Sequence, residues 1–199
     1  TRFNLSDGLA DTSKVTIRQT SNLYTDNRTK DHKRYETREY HKVQILDPAT
    51  GTGTFLAEVV RKIYSGMENR KGAWQNYVEE HLLPRLNGFE FMMAPYAVAH
   101  LKLDMVLAQT GYKAKQDKRL RVFLTNSLEE CDHDTGTLFA QWLAQEANEA
   151  NLVKRDTPVM VMIGNPPYSV SSSNKSAWIQ ELSENYKKNL NEKNIQPLS

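Results

Sequence analysis

The sequence predicts an α/β fold with a doubly wound, mostly parallel sheet. Three observations predict it: short apolar and β-branched runs alternate with longer segments of helical periodicity, no internal repeat or low-complexity tract interrupts the alternation, and a glycine-rich turn links one apolar run to the next helix. With 199 residues, 39% hydrophobic and 25% charged, the chain can bury one ordinary core. A single domain is therefore expected.

The elements follow in order along the chain. Strands are predicted at residues 14–18 and 43–46, flanking a polar segment, residues 19–42, that we expect to protrude and to be poorly ordered. A loop then leads to a helix in which Phe55, Leu56, Val59, Val60 and Ile63 have helical spacing. The later segments predict a helix over 74–83, a strand over 86–91, a helix over 94–107 with Ala97, Leu101 and Met105 on one face, a strand over 120–124, a helix around Leu138, Trp142 and Leu143, a buried central strand over 159–163, and a helix marked by Trp178, Leu182 and Tyr186. Four parallel strands are only part of a doubly wound sheet, so we expect truncation after the fourth main strand.

Charge and composition exclude some classes of protein and leave others open. The net charge of +2 does not by itself indicate a nucleic-acid-binding protein. A basic stretch at residues 28–42 favours a solvated hairpin tip, with a phosphate-contacting arm as the alternative. The single cysteine, Cys131, lies among acidic residues and is expected to be inert. No run approaches the roughly 18 apolar residues of a membrane span and no signal pattern is present, so a cytoplasmic location without a membrane partner is expected. No metal site is predicted.

A turn between the strand over 43–46 and the following helix predicts a ligand site. Its residues are Asp47, Pro48, Ala49, Thr50, Gly51, Thr52, Gly53, Thr54 and Phe55. Two glycines let a ligand approach the backbone, and the helix start offers free N–H groups. The third small residue of a dinucleotide fingerprint and the Gly-Lys pair of a phosphate loop are both missing. An Asp at the strand end suits the cationic portion of a ligand better than a pyrophosphate. An ordinary strand-to-helix turn is the alternative.

Polar residues also follow the next two predicted strands. Glu90 ends the strand over 86–91, at the edge where open α/β sheets bind ligands, and is placed to accept hydrogen bonds from ribose hydroxyls. Asn126, in the segment Thr125–Leu128, offers an amide that can both donate to and accept from a nucleobase edge. A solvated carboxylate and a simple turn residue are the respective alternatives.

The segment Asn165, Pro166, Pro167 and Tyr168 after the fourth strand is the most informative. Two prolines stiffen the loop and leave its carbonyl groups as acceptors. Together with the Asn165 side-chain carbonyl they can accept both hydrogens of a planar amino group, and Tyr168 can stack on a ring that has left the duplex. A proline-rich turn without function is the alternative when this tetrad is considered alone.

The two motifs together, in this order on successive strand ends, resemble the amino-directed DNA methyltransferases whose cofactor motif precedes the catalytic motif. Within that class, Gly8 to Thr12, the long insertion before the cofactor strand, and Gln196 to Leu198 look like the methylase region of single-polypeptide restriction-modification enzymes. The resemblance implies a Rossmann-like methyltransferase fold that binds S-adenosyl-L-methionine (AdoMet). It further implies a partial catalytic domain over 1–199, with a strand and polar excursion at 14–42, an AdoMet-binding part at 43–110, and a catalytic loop and helix at 158–190.

The same resemblance assigns roles to individual residues. Asp47, Thr50, Gly51 and Gly53 would line the methionine part of AdoMet, with Pro48, Ala49 and Thr54 beside them. Glu90 would hold the ribose, Asn126 and Ser127 would meet the adenine, and Phe55 or Phe91 would pack nearby. Asn165, Pro166, Pro167 and Tyr168 would take an adenine flipped out of double-stranded DNA, because Asn before the prolines favours adenine N6 over cytosine N4.

The sequence departs from the family pattern in three places. The aromatic-Tyr-Thr-Pro element that normally precedes the cofactor strand is absent, the interval from Gly53 to Glu90 is long, and no target-recognition domain follows Ser199. We therefore expect missing domains of a longer polypeptide and little activity in the 199-residue chain alone. The alternatives are a methyltransferase acting on an RNA base or a glutamine side chain, or a catalytically dead nucleic-acid-binding module.

Overall fold

A computed structural model describes residues 5–25, 33–67, 72–115, 118–127, 138–166, 180–181 and 184–185. The chain divides into two compact units, Thr1–Asn165 and Pro166–Ser199. The strands of the first unit are β1 (Lys14–Thr25), β2 (Lys33–His41), β3 (Ile45–Asp47), β4 (Leu86–Glu90), β5 (Arg121–Leu124) and β6 (Val161–Met162). Its α-helices are α1 (Thr54–Gly66), α2 (Trp74–Tyr77), α3 (Met93–Gln109) and α4 (Leu138–Asp156). In the second unit, the described residues 180–181 and 184–185 are helical.

Four strands form a parallel sheet in the order β5-β4-β3-β6. The register pairs Asp47 with Gly88 and Glu90 with Leu124. Because all four strands run the same way, the residues that follow them meet at one edge, which we call the carboxyl edge. The α/β fold with a mostly parallel sheet that the sequence predicts is confirmed.

Helices cover both faces of this sheet. The buried side chains of α1 pack with those of α3 on one face; they are Leu56, Ala57, Val59, Val60 and Ile63 from α1 and Ala99, Leu103, Val106 and Leu107 from α3. On the other face, Ala150 and Val153 of α4 join Leu46, Phe89 and Phe123 in a second cluster. The result is a three-layer, Rossmann-like arrangement.

The second face of α3 is also apolar, but it is exposed. We call Ala94, Ala97, Val98, Leu101 and Met105 the α3 stripe, because helical spacing places them together on one side. Leu101 is 62% exposed and Met105 54% exposed. The face that the sequence singles out, with Ala97, Leu101 and Met105, is therefore the solvent-facing one, and a different set of residues packs on the sheet.

Strands β1 and β2 form a separate antiparallel hairpin. The predicted absence of order is wrong for residues 19–25 and 33–41, which lie in β1 and β2; an irregularity in the pairing separates Ser21 from Thr25. Alternating Thr, Tyr and charged side chains suit a two-stranded ribbon with only one half-buried face. The hairpin starts and ends beside the amino end of β3, where Lys42 N donates to Ser13 O at 2.9 Å. Its root therefore lies opposite the carboxyl edge.

The predicted helix over 74–83 is present in the structure, whereas the predicted central strand over 159–163 is not. A helical segment does occupy residues 74–85, as α2 followed by a π-helical turn at Val78–Leu82 and a 3-10 turn at Leu83–Arg85. The prediction of a buried central strand over 159–163 is wrong for the described sheet, because β6 lies at its edge and Met162 is 67% exposed. Trp178, Leu182 and Tyr186 lie outside the described residues. Across the described ranges, the helices are too short or too polar to cross a membrane.

Candidate functional site

The turn after β3 is anchored to the neighbouring strand. Thr50 N donates to Phe89 O at 2.9 Å, and Gly51 N donates to Glu90 Oε2 at 2.7 Å. Gly51 and Gly53 have φ values of 54° and 76°, a left-handed backbone conformation that residues with a Cβ rarely adopt. The predicted glycine turn therefore depends on its glycines for its backbone path.

Close packing also restricts two glycines near this turn, Gly53 and Gly88. A Cβ on Gly53 would lie 3.2 Å from Ala99 Cα, on α3. A Cβ on Gly88 would lie 2.6 Å from Thr50 Oγ1 and 2.9 Å from Leu56 Cδ1. The turn is thus pressed against β4 and α3, and Gly88 is a contributor that sequence reasoning missed.

Asp47 is the buried acidic group at the centre of this turn. Its side chain is fully buried, Oδ1 accepts a hydrogen bond from Ala49 N at 3.1 Å, and Oδ2 has no hydrogen-bond partner in the described structure. Burial raises the pKa of Asp47 to about 6; the Ala49 hydrogen bond opposes the increase, and the nearby Glu90 carboxylate adds to it. A buried carboxylate oxygen without a partner is costly, and a cationic donor would satisfy it.

Glu90 ends β4 beside Asp47, and both of its oxygens accept backbone hydrogen bonds. Oε2 accepts from Gly51 N, and Oε1 accepts from Met92 N at 2.8 Å. Glu90 therefore joins the glycine turn to the start of α3. Phe91, the next residue, is 73% exposed, and Phe55 at the start of α1 is also exposed.

The loop after β5 is held by three different elements. Thr125 N donates to Glu90 O at 2.8 Å, and Ser127 Oγ donates to Pro48 O. Lys154 Nζ donates to Thr125 Oγ1 at 3.0 Å and to Asn126 O at 2.6 Å. Sequence reasoning missed Lys154, because a lysine in the last turn of a helix ordinarily needs no further explanation than the helix dipole.

The loop that follows β6 lies against the turn that follows β3. Ile163 N donates to Leu46 O at 3.0 Å, and a Cβ on Gly164 would lie 2.7 Å from Asp47 Oδ1. Asn165, the next residue, is exposed. Pro166 is exposed and opens the second unit, whereas Pro167 and Tyr168 lie outside the described residues.

The carboxyl edge thus collects most of the residues that the sequence predicts for a site. Asp47 and Glu90 end the adjacent strands β3 and β4, and Asn126 follows β5. Asn165 follows β6, one residue after Gly164, which lies against Asp47. Pro48, Ala49 and Thr50 complete the turn, while Thr54 Oγ1 accepts from Lys102 Nζ at 2.7 Å. Within the described ranges, no group of three or more His, Cys, Asp or Glu side chains could hold a metal ion.

Three solved structures with a similar arrangement are protein–DNA complexes, and two of them are of restriction-modification enzymes. A nuclease-deletion mutant of the Type ISP enzyme LlaGI, bound to a DNA substrate mimic, matches with a TM-score of 0.57 and 20% identity over 77% of this chain and 13% of that chain. LlaBIII, an ATP-dependent Type ISP enzyme bound to DNA, matches with a TM-score of 0.54 and 21% identity over 74% of this chain and 10% of its own. The DrdV–DNA complex matches with a TM-score of 0.50 and 28% identity over 73% of this chain and 13% of its own.

The chain therefore spans only 10% to 13% of the length of these structures. No curated protein matches it. The family model of the MmeI DNA-methyltransferase domain matches residues 24–196, which is most of the chain. This chain belongs to the MmeI DNA-methyltransferase domain family.

Proposed function

We propose that this chain is the catalytic part of a restriction-modification enzyme that transfers a methyl group from AdoMet to the exocyclic N6 of adenine in DNA. The family match supports DNA methylation in general. The Asn-Pro-Pro-Tyr segment at residues 165–168 and its position after the fourth strand support an amino group as the target, and Asn165 favours adenine.

One observation carries the proposal: the unpartnered Oδ2 of Asp47 lies in a glycine turn that directly contacts the residue before Asn165. A Cβ on Gly164 would lie 2.7 Å from Asp47 Oδ1, so the backbone that leads into Asn165 passes beside the acid that would hold the cofactor. A site for methyl transfer requires this adjacency, because the donor and the acceptor must be held within reach of each other.

The residues present fit AdoMet. The Asp47 carboxylate suits its cationic amino acid portion, and the glycine turn permits close approach of a ligand. Glu90 has lone pairs left for ribose hydroxyls after its two backbone hydrogen bonds, since each carboxylate oxygen can accept more than one. Asn126 and Ser127 would face the adenine portion, with Phe55 or Phe91 beside it. When bound, AdoMet supplies an electrophilic methyl group.

The loop after β6 would act on the target base. The side-chain carbonyl of Asn165 and the backbone carbonyl of Pro166 would accept the two hydrogens of the exocyclic amino group, which draws the nitrogen lone pair out of ring conjugation. Pro167 would stiffen the loop, and Tyr168 would stack on the flipped adenine. The proton that the amino group loses passes to water, so the protein contributes positioning and polar stabilisation rather than a general base.

Calorimetric titration of AdoMet tests the cofactor half of the proposal. We expect saturable binding to the full-length protein, a large loss of affinity in Asp47→Ala, and no change in Asp104→Ala, whose carboxylate is exposed on α3. Equal affinity in all three proteins would place the cofactor elsewhere.

Product analysis tests the target half. Full-length protein is incubated with duplex DNA and radiolabelled AdoMet, and the labelled nucleoside is identified after digestion. We expect N6-methyladenine, and no product from Asn165→Ala although that variant still binds AdoMet. N4-methylcytosine, or label only in RNA or protein, would overturn the adenine assignment.

A further inference from the structure

The last turn of α4 carries a lysine directed at the loop that follows β5. We propose that Lys154 is a positioning residue that fixes the Thr125–Ser127 loop, and Asn126 within it, for the adenine portion of AdoMet. The inference rests on the proposed function, since it concerns the same cofactor site. Its basis is the geometry of Lys154, which nothing in the two sequence motifs indicates.

The Lys154 ammonium group contacts this loop and the aromatic ring beneath it. It donates to Thr125 Oγ1 at 3.0 Å and to Asn126 O at 2.6 Å, and it lies 5.4 Å from the centroid of the Phe89 ring. An ammonium group has three donors and no acceptor, so carbonyl and hydroxyl oxygens and an aromatic face are all favourable partners for it. Charged donors also form stronger hydrogen bonds than neutral ones.

The base of Lys154 is fixed by the core. Its neighbour Val153 and the preceding Ala150 are buried against Phe89 and Phe123. Eight residues earlier, and therefore on the same side of α4, Glu146 is fully buried and its Oε2 accepts from Leu124 N at 3.2 Å. Helix α4 thus contacts β5 and its loop at two points. Glu146 accepts from Leu124, the last residue of β5, and Lys154 donates to the loop that follows.

These contacts determine the direction of the backbone at Asn126. Thr125 N is tied to β4 through Glu90 O, and Ser127 Oγ is tied to the β3 turn through Pro48 O. Lys154 provides the bond to the carbonyl group between these two anchors. Thr125 Oγ1 also donates to Asn126 O, at 3.4 Å, in a longer hydrogen bond between neutral groups. Without the charged hydrogen bond from Lys154, we expect the Asn126 carbonyl to be held less firmly, so the adenine would be bound more weakly while the methyl-transfer geometry at Asp47 and Asn165 is kept.

Steady-state methylation by the full-length protein tests this role. We expect Lys154→Met to raise the KM for AdoMet by about tenfold or more, because binding must then also order the loop that carries Asn126, with kcat at saturating AdoMet changed by less than about threefold. Lys154→Arg should recover most of the affinity, because a guanidinium can still donate to two oxygens. Arg155→Met, an exposed basic residue of the same turn, is the matched control and should behave as wild type.

The outcomes separate this role from the function on which it depends. A wild-type protein that neither binds AdoMet nor methylates DNA overturns the proposed function. A wild-type protein that binds AdoMet, with Lys154→Met of equal KM, overturns the positioning role alone. A fall in kcat without a rise in KM, or no recovery in Lys154→Arg, also overturns it, because general damage to folding would lower the active fraction and not the affinity.

Discussion

Asp47 is buried at a cost that the fold alone does not compensate. The pKa of about 6 lies above the ordinary value of 3.8, because burial disfavours the charged form. The folded chain therefore holds this proton more tightly than the unfolded chain. The stability contributed by protonated Asp47 is complete below about pH 4 and is lost as the pH rises through about 6.

Removal of this charge should therefore stabilise the protein without ligand. We expect Asp47→Asn to increase the free energy of unfolding by roughly 1–3 kcal/mol at about pH 7.5, and the increase to shrink towards pH 4. Urea unfolding at both pH values measures it, with Asp104→Asn as the exposed control. An increase of the same size at both pH values would show that titration of Asp47 is not its cause.

Gly164 gives a second expectation at the scale of single residues. In Gly164→Ala the new methyl group would lie 2.7 Å from Asp47 Oδ1 and 3.3 Å from Pro48 Cδ, so the β3 turn or the Asn165 loop must shift. Both AdoMet affinity and kcat should fall about tenfold or more, since misplacement of reacting groups by an ångström is costly. Gly66→Ala is the control, because a Cβ there meets nothing within 4 Å. An unchanged kcat would show that the two loops move independently.

Most residues of the candidate site could be predicted from the local sequence. The contacts that connect its loops to one another could not. Asp47, Glu90 and Asn126 are recognisable because each follows an apolar run that reads as a strand. Gly164 and Lys154 matter through contacts with residues more than 25 positions away, which depend on strand order and on where α4 lies. Local patterns do not contain that information.

The glycine turn illustrates how an element depends on its backbone. Gly51 and Gly53 share a left-handed φ, but only Gly53 faces a neighbour, with Ala99 atoms 3.2 Å from a built Cβ. We expect Gly51→Ala to lower the free energy of unfolding by about 1 kcal/mol through backbone strain, and Gly53→Ala to lower it by roughly 2–4 kcal/mol because α1 and α3 must also separate. Chemical denaturation compares the two variants; equal losses would contradict the role given to the Ala99 contact.

At the same scale, the limits of sequence reasoning are visible in two elements. Residues 19–25 and 33–41 are mostly polar in sequence, which favours a solvated excursion, yet pairing across the hairpin satisfies most of their backbone groups. For α3, periodicity identifies an apolar face but cannot tell which of two apolar faces meets the sheet.

For the molecule as a whole, ligand and stability should be linked through the carboxyl edge. A ligand that binds only the folded state stabilises it by about 2.7 kcal/mol at a concentration of 100 times its Kd. We therefore expect saturating AdoMet to raise the thermal unfolding temperature of wild type and of Asn165→Ala equally, and to leave Asp47→Ala unchanged. Differential scanning calorimetry measures this. If AdoMet raises the unfolding temperature of Asp47→Ala as much as that of wild type, the cofactor does not bind at the β3 turn.

The α3 stripe makes the solubility of this chain sensitive to concentration and to salt. Five apolar side chains in successive turns lie beside the exposed Phe91 and Met92. Hydration of such an apolar surface is unfavourable in free energy, so the surface favours association. Sulfate and phosphate strengthen the burial of such surface, so they should promote clustering of purified protein, whereas Leu101→Lys with Met105→Glu should suppress it. Light scattering across a concentration series would record the difference, and storage in low-sulfate buffer follows as the practical choice.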